Sequence, residues 1–345
     1  MISEILNKVE WDEVLKSVDA YDFYHTFDYH AISKREDEQA VFLVYRLDHV
    51  LIGLPLLIRS IEGANYFDAT SVYGYAGPVI KNYSSSINFS EFQNCLERYF
   101  EEKKIISIFS RLNPYINNQE HIINGIGYID GLGDIVNIDI TKEIDLQRQL
   151  YSKSTKNRVN KARKLCHVKI GSSEKDIMTF IDIYYENMNR VNAKKEYYFS
   201  KEYFMNIVNS KDFQVDVSFA VLNENNEIIS AAMMIKTNSE IIQYHLSGTK
   251  NDYLNLNPMG LLIDETRISG TKEGYKYFNL GGGLGSESDS LFNFKANFSK
   301  DFKKFQVWKY IVNKKVYDML VEQNNCLSKD INFFPLYRYN LSENH

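Results

Sequence analysis

Residues 276–296 hold the densest set of groups that could do chemistry. An apolar run ends at Leu280, Gly281, Gly282, Gly283 and Gly285 follow at once, and an acidic turn with Glu287 and Asp289 leads to Phe294-Lys295. Glycines behind a strand let a ligand approach backbone N–H groups closely, and they serve a wide turn at positive φ equally well. Nucleotide hydrolysis and dinucleotide binding are disfavoured. No Gly-Lys-Ser/Thr follows, the spacing misses GxGxxG, and no amphipathic helix opens directly behind the glycines. Glu287 and Asp289 read as turn formers, the histidines show no metal-ligand spacing, and no Gly-x-Ser-x-Gly elbow supports a serine hydrolase.

A second chemical feature is a run of cations. Lys153, Lys156, Arg158, Lys161, Arg163, Lys164, His167 and Lys169 fall within residues 151–173, which contain no carboxylate. Val159, Ala162 and Cys166 recur at i, i+3 and i+7, so the stretch predicts a helix with one apolar edge and a broad basic face. Such a face is either simply solvated or meets an anion such as a ligand phosphate. Ser173-Glu174-Lys175-Asp176 resembles a capping box that opens a helix with Ile177, Phe180, Ile181, Tyr184 and Met188 on its core side. Arg190 ends that helix, where it satisfies the last carbonyls or contacts a ligand.

These residues need a scaffold, and the sequence contains one twice. Residues 41–60 are two apolar runs about a polar turn, the pattern of a hairpin. Residues 218–237 repeat the pattern at an offset of 177, with Phe42 matching Phe219, Val44 matching Val221 and Ile58 matching Ile235. A strand-like, a helical and a second strand-like segment follow each copy: 66–72, 90–104 and 105–112 in the first, 241–248, 258–273 and 275–280 in the second. Agreement in element order as well as pattern predicts a duplication. The class is α+β, or mixed α/β, with a largely antiparallel sheet flanked by helices in each half. Residues 3–19 predict a helix with Ser3 as N-cap, and a second helix is expected over about 28–35. The domains are expected at 1–145 and 146–316, with residues 317–345 returning to the first.

Bulk properties narrow the function. With 345 residues, 44% hydrophobic and 25% charged, two soluble domains are expected. A net charge of −5 argues against a general nucleic-acid binder and leaves room for a local basic patch. Cys95, Cys166 and Cys326 lack CxxC spacing and read as reduced, partly buried thiols. The acidic N-terminus and the short apolar runs predict a cytoplasmic protein without stable membrane insertion.

Three segments carry a resemblance. Gln243 through Leu254 to Leu262 (Tyr244 included), Gly274 to Gly282, and Phe294-Lys295-Ala296-Asn297-Phe298 resemble the Fem-type peptidyltransferases of bacterial cell-wall synthesis and their acetyltransferase-like relatives. Tyr73-Gly74-Tyr75-Ala76-Gly77-Pro78-Val79 is similar to the same superfamily's Tyr/Gly-rich segment, and the basic helix 155–168 to the one opening its second domain. The resemblance implies two tandem acetyltransferase-type (GNAT-like) domains. It also implies transfer of an amino acid from aminoacyl-tRNA to an amine of a nucleotide-linked or lipid-linked peptidoglycan precursor. Relatives that use acyl-CoA on amino sugars supply the alternative donor and acceptor, and a non-catalytic binding protein on the same fold is the third reading. No tightly bound cofactor is expected. By the family's motif Lys295, behind Phe294, would hold the donor's acyl end and stabilise the anion. Attack of an amine on an ester or thioester makes a tetrahedral oxyanion, and a preorganised cation there lowers the barrier by about 3 kcal/mol. Arg190 and Lys34 correspond to cations near the precursor's phosphates, and Arg158, Tyr244 and Gly282 complete the expected substrate contacts. Leu112-Asn113-Pro114 departs from the pattern, because many relatives place a carboxylate where Asn113 stands.

Overall fold

The computed structural model describes residues 1–237, 240–324 and 333–339. The first repeat runs β1 (Ile2–Ile5), α1 (Lys8–Ser17), α2 (Phe27–Ser33), β2 (Glu38–Leu47), β3 (Val50–Ser60), β4 (Phe67–Thr70), β5 (Val79–Lys81), α3 (Ser90–Glu102) and β6 (Ile105–Arg111). A short α4 (Gln119–Ile123) and β7 (Tyr128–Asp139) follow. Next come α5 (Ile144–Gln149), α6 (Lys153–Leu165), β8 (Cys166–Gly171), α7 (Glu174–Arg190), α8 (Lys201–Asn209), β9 (Gln214–Leu222), β10 (Ile228–Lys236) and β11 (Ile241–Thr249). The chain continues with α9 (Pro258–Glu273), β12 (Tyr277–Gly281), α10 (Ser290–Ala296), β13 (Asp301–Ile311) and α11 (Lys314–Gln323).

The chain divides into two compact units, Met1–Leu132 with the chain from Phe305 onward, and Gly133–Lys304. In the first, the strand order is β1-β2-β3-β4-β6-β13, with β5 alongside β3. In the second it is β8-β9-β10-β11-β12-β7. Position by position the pairings agree: three antiparallel pairs, one parallel pair (β4 with β6, β11 with β12), and a last antiparallel strand. The duplication is therefore present in hydrogen-bond pattern as well as in sequence. One detail differs: Phe42 faces Pro55, whereas Phe219 faces Ala231, because a bulge near the turn of β9 and β10 slips the register by one residue.

The last strand of each unit comes from the opposite end of that unit's chain. β13 enters the first unit after the whole second repeat, and β7 enters the second before it begins. The unit boundaries consequently lie inside β7 and β13, upstream of the junctions expected at 145/146 and 316/317. The described residues from Phe305 pack in the first unit, where Val316, Tyr317, Leu320 and Val321 of α11 meet Ile61, Ile106 and Tyr337. Tyr337 and Arg338 also reach the fully buried Asp68, which accepts a further hydrogen bond from Arg59 Nε at 2.7 Å.

Two expectations need correction, and they share a cause. Residues 3–5 are strand, and the helix begins at Lys8 with Asn7 as N-cap, its side chain accepting from Glu10 N at 3.0 Å. Likewise the basic helix stops at Leu165, and residues 166–171 form β8. Both are short edge strands with one solvated flank. Their apolar residues are too few to interrupt a helical period, and the neighbouring strand imposes their conformation. Cys95 and Cys166 are buried free thiols; Cys326 lies outside the described residues. Among the described residues no helix is long and apolar enough to cross a membrane, and none of their His, Cys, Asp and Glu side chains cluster as a metal site.

Candidate active site

The second unit presents a gap in its own sheet. Parallel strands β11 and β12 are paired only from Ile241 with Tyr277 to Gln243 with Asn279. At the last rung, buried Asn279 donates Nδ2–H to Gln243 Oε1 at 2.7 Å, and its own Oδ1 accepts from Gly281 N at 2.8 Å. Beyond this rung β11 continues through Tyr244 and Ser247 to Thr249, while the other chain turns away through the glycines. Gly281 takes φ +76°, which a side chain disfavours. At Gly283 a Cβ would lie 2.1 Å from the Glu287 carbonyl oxygen and 2.3 Å from Asp289 Oδ1. This glycine is required by crowding inside the turn.

Asp289 ends the turn as the N-cap of α10, accepting from Phe292 N at 2.8 Å and Leu284 N at 3.1 Å. Burial works to raise its pKa, but these amides, that of Leu291 and the charge of Lys295 hold it below the ordinary carboxylate value. The expected turn role of Asp289 is thus a specific one, since it fixes the helix that carries Lys295.

Lys295 is 7% exposed. Its ammonium donates to the Gly282 carbonyl at 2.7 Å and lies 5.8 Å from the centre of the Tyr244 ring. Burial pulls its pKa down to about 8 against the opposing pull of Asp289. Tyr244 hydrogen-bonds Ser247 through its hydroxyl, and burial pushes its pKa up to about 12. Phe294 packs behind, its ring edge-on to Phe298 at 5.4 Å. The fold therefore brings Lys295, Gly282, Tyr244 and Phe294 together at the end of the gap. A protonated amine there, with donors beyond the one used by Gly282, can stabilise an oxyanion in a poorly hydrated site.

Arg190 ends α7 on the surface and donates to Asn187 Oδ1 at 2.6 Å. Arg158 is exposed on α6, and Lys34 is an exposed C-cap of α2 in the first unit. Neither Arg190 nor Arg158 has a hydrogen bond or ion pair to the Lys295 cluster, and Lys34 belongs to the other unit. On α6 itself, Arg163 is not available to a ligand. It binds Asp264 at 2.9 Å and Glu265, while Arg148 reaches Asp264 at 2.7 Å. Asp264 is fully buried and also accepts from Tyr151 Oη at 2.8 Å and Arg267 Nη2 at 2.9 Å. Desolvation opposes its ionisation, yet the guanidiniums of Arg267 and Arg163 keep its pKa below the usual value. Sequence reading missed this hub, because its members are spread over 120 residues and only tertiary packing unites them. Gln243, Ser247 and Asn279 escaped for a different reason: isolated polar residues in a strand have no spacing to betray them.

In the first unit the corresponding gap is closed. Ser71 N donates to the Phe109 carbonyl at 2.9 Å, and Ala76 bridges Leu112 in parallel register. Asn113 donates its side-chain Nδ2–H to the Tyr75 carbonyl at 2.8 Å and to Asp22 Oδ2 at 3.2 Å, while its backbone N–H donates to Gln119 Oε1 at 2.7 Å. Asn113 thus knots together segments that would otherwise part. His25, fully buried there, has its pKa lowered to about 4 by desolvation.

Two domains of one topology, each with a parallel strand pair inside a mostly antiparallel sheet, define a tandem GNAT-like fold. Comparison with solved structures agrees. FemX superimposes with a TM-score of 0.71 at 12% identity, over 92% of this chain and 99% of its own. L-PGS from Bacillus licheniformis gives 0.55 at 11%, over 92% and 96%. The C-terminal domain of a putative lysylphosphatidylglycerol synthetase from Agrobacterium fabrum gives 0.54 at 15%, over 93% and 96%. At these identities the likeness is one of fold. No protein-family profile and no curated protein sequence matches the chain.

Proposed function

We propose that this chain is an acyltransferase of cell-envelope synthesis, moving an aminoacyl group from the 3′ ester of an aminoacyl-tRNA to an amine of a nucleotide-linked or lipid-linked peptidoglycan precursor in the cytoplasm. The observation that carries this reading is the buried Lys295 ammonium at the end of the β11–β12 gap. The motif resemblance and the FemX-like fold support it.

In this scheme the acceptor amine's lone pair attacks the ester carbonyl carbon, and the carbonyl oxygen becomes an oxyanion facing Lys295 Nζ. Collapse breaks the ester C–O bond and forms the amide. The amine's proton leaves with the departing ribose oxygen as its hydroxyl, so no side-chain nucleophile is consumed. Phe294 and Asp289 hold α10 so that the ammonium is placed before the substrate arrives, which is the condition for a large electrostatic effect.

Acyl-CoA as donor is the competing case, and the start of α9 weighs against it. A pyrophosphate needs free N–H groups at a helix N-terminus. Here Pro258 has none, Gly260 N already donates to the Asn257 carbonyl at 3.1 Å, and the Asn257 side-chain amide would lie 2.2 Å from a Cβ at Gly260. Calorimetry with acetyl-CoA separates the donors: binding at micromolar ligand would replace the tRNA ester with the thioester. The transfer assay with Lys295→Met tests the site itself, with about a hundredfold loss of kcat/KM expected, matching the cost of one oxyanion donor. Activity within severalfold of wild type in a folded variant would remove Lys295 from the chemistry.

A further inference from the structure

We infer that the exposed face of α6 is a docking surface for the sugar-phosphate backbone of an RNA. The inference rests on the proposed transfer only for what that RNA carries. Lys153, Arg158, Lys161 and Lys164 are all exposed, and among the described residues none has an ion pair or hydrogen-bonded carboxylate. The cations that do have partners are the inner ones: Arg163 and Arg148 turn to α9, and Lys156 donates to the Gln149 carbonyl at 3.1 Å. The helix is thus sorted, with one set of charges pinning it in place and a second set left to solvent. Asp252, on the turn that packs against α6, pairs with none of the four.

The position of the helix gives the surface a direction. Ser152, the N-cap of α6, donates its backbone N–H to the Asn297 carbonyl at 3.0 Å, and Phe298 N donates to the Lys295 carbonyl at 2.9 Å. Tyr151 packs edge-on against Phe298 at 5.1 Å. The basic face therefore begins beside the segment that holds Lys295 and runs away from it for the 13 residues of the helix, a rise of about 20 Å. A polyanion with its reactive end at Lys295 would lie along it, and a nucleotide ester with one or two phosphates would not span it. A lipid surface fits less well, because the apolar edge of α6, at Thr155, Val159 and Ala162, is buried. Interfacial helices need that edge free.

Four cations on four phosphates of a duplex should give a slope of log affinity against log salt of about −3.6, or roughly a 150-fold loss of affinity between 50 and 200 mM salt. The test is fluorescence anisotropy with an uncharged acceptor-stem minihelix RNA and K153Q/R158Q/K161Q/K164Q. The expected result is a Kd raised at least tenfold with a nearly flat salt dependence. K153Q/R158Q and K161Q/K164Q should fall between, and they are decisive if the quadruple variant melts early by circular dichroism. Variants that bind the minihelix within twofold of wild type overturn the surface. So does a wild-type chain that binds phosphatidylglycerol vesicles through these residues and not the minihelix. Binding is read without turnover, so a chain that docks RNA through α6 and transfers nothing keeps the surface and loses the transferase. Transfer from the RNA ester with unchanged minihelix binding does the reverse.

Discussion

Lys295 is a lysine whose setting lowers its pKa to about 8, and this fixes the sign of two effects. If its ammonium stabilises the oxyanion, its contribution to the chemical step is full below pH 7, half lost near pH 8 and absent well above it. Deprotonation of the acceptor amine raises the rate with pH in every variant, so the single-turnover rate of wild type relative to Lys295→Arg, whose guanidinium stays charged, should fall through pH 8. A ratio that rises through pH 8 would instead make the neutral lysine a base. Stability follows the opposite trend. The folded state binds this proton less tightly than the unfolded chain does, so the charged lysine costs stability below about pH 8, and the cost is relieved between there and the ordinary lysine pKa. Lys295→Met keeps the stem and removes the buried charge, so its denaturation midpoint at neutral pH should be no lower than that of wild type while activity collapses. At Gly283 the outcome is different: alanine would collide with the Glu287 carbonyl oxygen, forcing the turn beneath Gly282 to move. Gly283→Ala should lower kcat at least tenfold without touching a reacting group, and unchanged kcat would show that the turn yields without moving Lys295.

At the scale of elements, the second unit places its site by two devices. One is the short pairing of β11 with β12, which ends at the Gln243–Asn279 rung and leaves the strands to diverge. The other is the carboxylate of Asp264, which ties α5, α6 and α9 together through Arg148, Arg163, Arg267 and Tyr151. Asp264→Ala strands three guanidiniums around an empty site, and removing one partner of a buried charged network costs about 3–5 kcal/mol. A urea titration should show that loss, and a change below about 1 kcal/mol would mean that water replaces the carboxylate. The helices α6 and α7 were legible, because each keeps a periodic apolar stripe, and the capping box at Ser173–Asp176 is present as read. The edge strands β1 and β8 were not. Their conformation is set by the strands beside them, which a local window does not contain.

On the scale of the molecule, the exchange of final strands decides where the chain can be cut. A fragment beginning at residue 146 follows the sequence repeat but omits β7, and with it Val136, Ile138 and Ile140, each no more than 1% exposed. Burial of such side chains is worth about 1.5–3 kcal/mol apiece, a sum comparable with the whole stability of an ordinary domain. The fragment 133–304 should therefore melt cooperatively and 146–304 should not. Equal thermal transitions in the two would show that β7 is dispensable. Truncation after residue 304 should likewise unfold the first unit, since it removes β13 with the fully buried Trp308 from beside β6.

The duplication, the order of elements in each copy and the Gly-rich turn leading to Phe294-Lys295 could all be read from sequence, because local periodicity and turn chemistry are written residue by residue. Tertiary structure alone decided three things. The basic helix is half consumed by the carboxylates of α9, since ion pairs a hundred residues apart leave no local trace. The first copy's gap is sealed by Asn113, Ser71 and Ala76, while the second copy's stays open beyond Asn279, because this depends on how far two parallel strands remain hydrogen-bonded. Each copy also takes its last strand from outside its own repeat, a choice made by the sheet edge with a vacant row of N–H and C=O groups rather than by the order of the chain.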